Sequence, residues 1–114
     1  MHTPIINNIC LSANHEWQAG RGRRGTAFLS LEDFGHKFGN PHAQDFSEAA
    51  LDGAGKVHAV WSIDTPRGKV EISDYWWNAK DELSIRAETK KAALWVVSWL
   101  KIHGIPAKLG MPEL

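Results

Sequence analysis

The chain has 114 residues, the length of one ordinary domain, and a chain of this size buries a core without disulfide bonds. Thirteen basic and thirteen acidic residues give a formal net charge of zero, which argues against nonspecific binding to nucleic acid. A single cysteine excludes an internal disulfide, and the sequence has neither a signal-peptide pattern nor an apolar run of membrane-spanning length. We therefore expect one cytoplasmic domain, residues 1–114, without a membrane partner.

The N-terminal segment carries the weakest patterns. Apolar residues within 5–11 are compatible with a strand or with the arm of a short hairpin. Residues 15–25 mix glycines and arginines without any periodicity, which predicts a loop. A short apolar stretch follows at 26–29.

A short helix is predicted over residues 31–38. Ser30 is a suitable N-cap, and the acidic residues close behind it favour the first turn of a helix. Three apolar residues recur at helical spacing: Leu31, Phe34 and Phe38. The Gly-Asn-Pro sequence at 39–41 ends the pattern, and the small polar residues of 42–55 predict a loop with room for one helical turn.

The strongest pattern lies in residues 56–77, where two runs of alternating apolar and polar residues flank a Thr-Pro-Arg-Gly turn. A period of two is typical of half-buried strands, so we predict an antiparallel hairpin. In this hairpin Trp61 faces Ile72, and Ile63 faces Val70. The polar residues of the two runs point to the opposite side: His58, Ser62, Glu71 and Ser73.

The C-terminal part predicts one more strand and a longer helix. Residues 83–86 alternate again, and Thr89 is a suitable cap for an amphipathic helix over 89–103. One broad face of that helix is apolar: Ala92, Trp95, Val96, Trp99 and Leu100. A glycine and a proline end the helix, and the tail from Ala107 onward is expected to be loose.

Together these elements predict an α+β fold. A small antiparallel sheet of about three to five strands is built on the central hairpin 56–77, the helix 89–103 packs on one face, and the helix 31–38 lies at an edge or end. Val97 and Ile102 fall outside the main apolar stripe, so a second apolar contact, such as a subunit interface in a homo-oligomer, is compatible with the sequence.

The sequence gives no pattern for catalysis. Its six histidines and one cysteine do not have the spacing of a metal site, so we expect neither a metal nor a cofactor. No motif marks a nucleophile, and the Gly-Arg-rich segment lacks the lysine and hydroxyl residue of a phosphate-binding loop. His58 and Glu71 are placed to approach each other across the hairpin, but a histidine on a polar strand face is usually solvated. We therefore expect a protein that is not an enzyme.

Three groups of residues are candidates for binding a ligand. The first group is Arg21, Arg23 and Arg24, which are spaced by glycines. Guanidinium groups make bidentate hydrogen bonds to phosphate, and glycine lets the backbone approach a ligand closely. The alternative is a flexible, solvated loop.

The second group lies at the end of the hairpin and consists of Asp74, Trp76, Trp77 and Asn78. Adjacent strand residues face opposite sides, so one of the two indoles is expected to pack in the core and the other to face solvent or a ligand. An exposed indole beside an amide and a carboxylate can stack on a purine and bind its edge or its ribose. The alternative is that both indoles lie in the core or in a subunit interface.

The third group is Arg86 with Lys90 and Lys91, close to the start of the last helix. Basic residues near a helix N-terminus favour an anion site, and the alternative is an ordinary charged surface. Taken together, the three groups offer arginines, an exposed indole and a helix N-terminus, which suit a nucleotide-shaped ligand.

Four segments occur in an order that resembles small phage- and virus-encoded proteins: FGNP after the short helix, DGAGKVHAVW, KVEISDYWW and LSIRAETKKAALWVVSWL. The resemblance spans residues 30–103, and its layout is similar to that of the Thoeris anti-defence proteins. Those proteins sequester cyclic ADP-ribose-type signals in oligomers without degrading them. An additional alanine and glycine interrupt the Asp-Gly-Lys run here, and the Arg-Gly segment has no counterpart, so no site residue is carried over from that family.

The resemblance implies a phage protein that acts in the cytoplasm of a host cell. Our first hypothesis is an anti-defence inhibitor that binds and sequesters a nucleotide-derived second messenger, either a cyclic nucleotide or an ADP-ribose-type ligand. The second is an inhibitor of the anti-CRISPR type, which binds a bacterial defence protein and uses its tryptophans and arginines as anchors. The third is an accessory protein whose tryptophans only build the core.

Overall fold

The computed structural model describes residues 10–11, 23–41, 43–51, 55–75 and 78–110, of which residues 10–11 are described by their backbone alone. These residues form an α+β fold, in which helices pack on an antiparallel sheet. The strands are β1 (Cys10–Leu11), β2 (Arg23–Ala27), β3 (Ala43–Gln44), β4 (Ala59–Thr65), β5 (Gly68–Ser73), β6 (Leu83–Ala87) and β7 (Ala107–Leu109). The helices are α1 (Leu31–Phe38) and α2 (Lys90–Ile102).

The sheet is antiparallel at every pair of neighbouring strands, in the order β1-β4-β5-β6-β2-β7. All residues of strand β5 pair with one edge of β4. The short strands β1 and β3 share the other edge of β4, β1 near its C-terminal end and β3 near its N-terminal end. The hairpin β4–β5 therefore lies inside the sheet and is paired on both sides.

The predicted hairpin is confirmed in its register as well as its position. Trp61 lies opposite Ile72, and Ile63 lies opposite Val70. The turn closes at the pair Thr65 and Gly68, where the Thr65 hydroxyl donates to the Gly68 carbonyl oxygen at 2.6 Å and accepts from the backbone N–H of Arg67 at 3.1 Å. Gly68 has a φ of 125°, which side chains disfavour, so glycine suits this position.

Both predicted helices are confirmed, and each begins at the predicted cap. The Ser30 hydroxyl accepts from the backbone N–H of Asp33 at 3.1 Å at the start of α1, and the Thr89 hydroxyl accepts from that of Ala92 at 3.2 Å at the start of α2. Helix α1 ends where the N–H of Gly39 donates to the carbonyl oxygen of Gly35 at 2.8 Å. Neither of these helices is long and apolar enough to cross a membrane.

Both helices pack on the same face of the sheet, which we call the apolar face. The residues of this face alternate along the central strands: Ala59, Trp61, Ile63, Val70, Ile72, Leu83, Ile85 and Ala87. Aromatic contacts join the helices to it, since Phe34 lies 4.6 Å from Trp61 and Phe38 lies 5.2 Å from Trp99, measured between ring centroids. The apolar face and the two helices therefore form one core.

The buried face of α2 is rotated from the predicted one. Val97 is buried in the core, whereas Trp95, which was predicted on the apolar stripe, is half-buried. The sequence pattern did not predict this rotation, because Trp95 and Val97 are both apolar and lie near the two margins of the buried face. Ile102 is 74% exposed, in agreement with its position outside the predicted stripe.

Three predictions of irregular chain were wrong. The Gly-Arg segment predicted as a loop contributes the first residues of β2, the segment 42–55 contributes β3, and the tail predicted as loose contributes β7. Each of these strands is stabilised by a partner that is distant in sequence, so local patterns do not reveal it. The sheet has more strands than the predicted three to five for the same reason.

Replacing glycine by alanine should have opposite effects on stability at Gly25 and at Gly35, so the two substitutions form a matched pair. A Cβ on Gly25 in β2 would lie 2.9 Å from the Lys108 carbonyl oxygen, whereas a Cβ on Gly35 in α1 would meet only the Trp61 ring, at 3.9 Å. We expect Gly25→Ala to lower the free energy of unfolding by about 1–3 kcal/mol through overpacking. Gly35→Ala should raise it by about 0.5–1 kcal/mol, because alanine favours the helix. Urea unfolding of both variants measures the difference, and equal effects would contradict the β2–β7 pairing.

Trp99 tests the packing of α2 on the sheet. It is 4% exposed, so Trp99→Ala should lower the free energy of unfolding by about 3–5 kcal/mol through the loss of a buried aromatic side chain. Leu94 lies on the same helix but is 49% exposed, and Leu94→Ala should change stability by only about 0.5 kcal/mol. A loss below about 1 kcal/mol for Trp99→Ala would mean that α2 does not cover the apolar face.

Candidate functional site

The second face of the sheet is polar, and we call it the polar face. Two rows of paired residues cross it from β4 to β2. The first row is Ser62, Glu71, Arg86 and Arg23, and the second row is Val60, Ser73, Ser84 and Thr26. All the fully buried polar side chains of the described residues lie in these rows: Thr26, Ser62, Glu71, Ser73 and Ser84. An antiparallel sheet with one covered face usually turns solvated polar residues outward, so their burial marks this face as unusual.

Ser73 shows what this burial costs. Its hydroxyl oxygen is fully buried and has no hydrogen-bond partner. Leaving a buried hydroxyl unpaired costs on the order of 1–3 kcal/mol, and such groups are uncommon in native proteins. Polar groups that a core does not need are typical of a functional site.

Arg23 is held in a fixed position at the β2 end of the first row. Its Nη1 donates to Oδ1 of Asn78 at 2.8 Å, its Nη2 donates to Oγ1 of Thr26 at 3.1 Å, and its Nε donates to the Gly25 carbonyl oxygen at 3.4 Å. The amide of Asn78 in turn donates to Oγ of Ser84 at 3.2 Å. A half-buried guanidinium is thus oriented by side chains of the polar face.

Arg86 lies directly opposite Arg23 on the neighbouring strand and is also half-buried. Its Cζ atom lies 5.7 Å from the centre of the Tyr75 ring, in the range of a cation–π contact. The fully buried Glu71 occupies the next position in the row, on the other side of Arg86. The row therefore places two guanidinium groups and one carboxylate side by side, and the phenol ring of Tyr75 lies against Arg86.

The electrostatics of the row reflect this crowding. Burial lowers the pKa of the Arg23 guanidinium, and the positive charge of Arg86 lowers it further, whereas Glu82 and Tyr75 raise it. The like charges of Arg23 and Arg86 on adjacent strands repel each other, and the attraction of Arg23 to Glu82 is larger than this repulsion. An anion placed between the two guanidinium groups would attract both of them. We call Arg23, Tyr75, Asn78 and Arg86 the arginine cluster.

Arg24 does not join this cluster, although it is the neighbour of Arg23. A β-bulge between Arg23 and Gly25 shifts the register, and Arg24 is exposed. Its Nε and Nη2 donate to the carbonyl oxygens of Ala87 and Glu88, both at 2.9 Å. Arg24 therefore ties β2 to the end of β6 and lies apart from the arginine cluster, and its role in binding phosphate stays a prediction.

Lys90 is also separate from the cluster. It is the first residue of α2, it is exposed, and α2 packs on the apolar face, whereas Arg86 belongs to the polar face. The two residues therefore lie on different sides of the sheet, and their joint anion site stays a prediction. Arg86 and Lys90 are four residues apart in the sequence, which did not show that the chain passes from the sheet to a helix on its apolar face between them.

Asp74 makes structural contacts at the start of β4, and its role in binding stays a prediction. Its Oδ1 accepts from the backbone N–H groups of His58 and Ala59, both at 2.8 Å, and its Oδ2 lies 2.9 Å from Nδ1 of His58. Both carboxylate oxygens are thus occupied at the start of β4. The expected approach of His58 to Glu71 is wrong, because Glu71 pairs with Ser62 further along the hairpin.

Three predicted site residues, Arg21, Trp76 and Trp77, lie outside the described residues. The structure brings together Arg23, Asn78 and Arg86 from the predicted set. It adds Tyr75, which stands inside the aromatic stretch that the sequence singled out. The supporting residues Thr26 and Ser84 were missed, and the only signal for them is their alternation with apolar residues along two strands.

The arginine cluster has side chains whose chemistry suits an anion. Its groups donate hydrogen bonds, carry positive charge and offer an aromatic face. Within the described ranges, no three His, Cys, Asp or Glu side chains come together in a way that would hold a metal ion.

No protein-family model matches the chain, and neither a curated protein nor a solved structure matches it. The residues themselves define it as an α+β protein with both described helices on one face of an antiparallel sheet and a buried polar row on the other.

Removal of the Asp74 carboxylate tests whether that residue is structural. Asp74→Ala leaves two backbone N–H groups at the start of β4 without their acceptor, so the free energy of unfolding should fall by about 1–3 kcal/mol. Asp64→Ala is the control: its carboxylate is 58% exposed and lies 3.8 Å from Nζ of Lys69, and removing it should change stability by at most about 0.5 kcal/mol. Thermal unfolding compares the two, and an unchanged Asp74→Ala variant would refute the structural role.

Proposed function

We propose that this protein binds a nucleotide-derived anion at the arginine cluster and withholds it without converting it. The observation that carries the proposal is the pairing of Arg23 with Arg86 across two neighbouring strands. Two guanidinium groups in register match the oxygens of a phosphate or pyrophosphate, to which arginine donates bidentate hydrogen bonds.

The surroundings of the pair support a nucleotide over a simple phosphate ion. Tyr75 offers a ring beside Arg86, and aromatic rings stack on bases. Asn78 offers an amide beside Arg23, which can exchange its present hydrogen bond for one to a ribose or base edge. The buried Ser84 accepts a hydrogen bond from the Asn78 amide and so helps to hold the cluster rigid, and a rigid site loses less entropy on binding.

The biological setting of the proposal rests on the resemblance to phage proteins. In that setting the protein is an anti-defence inhibitor in the cytoplasm of a host cell, and its ligand is a second messenger such as a cyclic nucleotide or a cyclic ADP-ribose. Sequestration requires the ligand to remain intact while bound.

Calorimetric titration against a panel of cyclic ADP-ribose isomers, cyclic dinucleotides and cyclic trinucleotides, with NAD as a control, tests the proposal. We expect one cyclic species to bind and to be recovered unchanged when the protein is denatured. Arg23→Ala should then weaken the affinity about 10- to 100-fold, since a hydrogen bond to a charged group contributes about 1.5–3 kcal/mol.

Arg24→Ala is the matched control, because it removes the same side chain from the adjacent residue without touching the cluster. It should leave the affinity unchanged and lower the stability slightly. An equal loss of affinity in both variants would contradict the site. Absence of binding across the panel, together with a large loss of stability in Arg23→Ala, would mean that the arginine row is a structural network.

A further inference from the structure

A second surface feature lies on the opposite side of the molecule, along the outer side of α2. A groove of about 570 Å³ runs between this helix and the β4–β5 turn. It is lined by Arg67 from the turn and by Lys91, Leu94, Trp95, Ser98, Trp99 and Ile102 from α2. We call it the α2 groove, and it belongs to the apolar side, away from the arginine cluster.

The α2 groove contains most of the large apolar side chains that are exposed in the described part of the chain. Three large apolar side chains are exposed among the described residues, and two of them, Leu94 at 49% and Ile102 at 74%, line this groove. Contiguous exposed apolar surface of this kind is typical of an interaction site.

The dimensions of the groove fit a helix. From Lys91 to Ile102 it follows twelve residues of α2, a length of roughly 16 Å at a rise of about 1.5 Å from each residue to the next. Its exposed apolar positions, Leu94 and Ile102, lie about two turns apart. An amphipathic helix packs into such a groove with apolar anchors repeated every three or four residues.

The charges of the groove decide what kind of helix it accepts. Arg67 and Lys91 stand at one end of it, where the positive end of the α2 dipole also lies, and none of its described lining residues is acidic. Lys101 adds a further exposed positive charge to the helix. A partner with carboxylates beside its apolar anchors would be attracted.

The same charges argue against a second copy of this chain. A two-fold contact between two such grooves would place four basic side chains, Arg67 and Lys91 of each copy, in one interface, and none of the described lining residues offers a carboxylate to pair with them. Like charges that face each other across an interface cost binding free energy.

We propose that the α2 groove is a docking site for an acidic amphipathic helix of a partner protein. Leu94, Trp95 and Ile102 receive the apolar anchors of that helix. Arg67 and Lys91 pair with acidic residues at one of its ends. This proposal is independent of the nucleotide site, since it uses a different face and different residues.

Selection from a phage-displayed library of 16-residue amphipathic helices tests the proposal. The library keeps leucines at the anchor positions and randomises the flanking positions between glutamate, lysine and serine. Against the wild-type protein we expect glutamate to be enriched several-fold at the flanking positions. Against the double variant Arg67→Glu, Lys91→Glu we expect the preference to reverse to lysine.

Two further variants control the selection. Lys37→Glu makes the same change on the exposed side of α1, away from the groove, and should preserve the enrichment of glutamate. Leu94→Glu should abolish selection while leaving the thermal unfolding temperature nearly unchanged, because Leu94 is half exposed. A lack of enriched clones, or the same charge preference for the wild type and the double variant, would overturn the proposal. Sedimentation of a wild-type dimer that Leu94→Glu converts to a monomer would also overturn it, because the occupant would then be a second copy.

Discussion

The register of the β4–β5 hairpin is the constraint on which the rest of the structure depends. Because side chains alternate between the two faces of a strand, a slip of one residue would exchange the faces completely. Such a slip would place Glu71 against the helices and expel Ile72 from the core. The pairs Trp61 with Ile72 and Ile63 with Val70 prevent this, since each buries large apolar side chains together.

The same register sets the position of the candidate site. Once Ile72 and Ile85 face the helices, Glu71 and Arg86 must face the other way and lie opposite each other. Strand β2 then brings Arg23 to the end of the row. The core and the arginine cluster are therefore two consequences of one alternation, and a mutation that weakens the core would also disturb the row.

The bulge in β2 explains why two neighbouring arginines differ. Without the shift between Arg23 and Gly25, Arg24 would stand opposite Arg86. With the shift, Arg23 takes that place, and Arg24 instead binds the carbonyl oxygens at the end of β6. Bulges commonly redirect side chains beside functional sites, and this one selects which guanidinium enters the polar face.

The sequence predicted the helices and the hairpin, because these elements depend on contacts between residues that are close in sequence. The caps Ser30 and Thr89 and the turn at Thr65 each act within a few residues, so the sequence located α1, α2 and the hairpin. Pairing over long separations was not predictable: β7 depends on β2, which lies about eighty residues away. The contacts of Asp74 with the start of β4 were also not predicted, because they too join residues that are distant in sequence. In the sequence alone, a carboxylate at the end of a strand is equally suited to binding a ligand.

We propose that Arg23 and Arg86 bind one anion together. The most direct measurement follows the Nε–Hε resonances of the arginines by NMR during titration with cyclic ADP-ribose isomers and cyclic dinucleotides. We expect the resonances of Arg23 and Arg86 to shift together at the same ligand concentration, while that of Arg24 stays in place. If the signals of the pair remain fixed with every ligand, or if Arg24 responds equally, the arginine cluster is not the binding site.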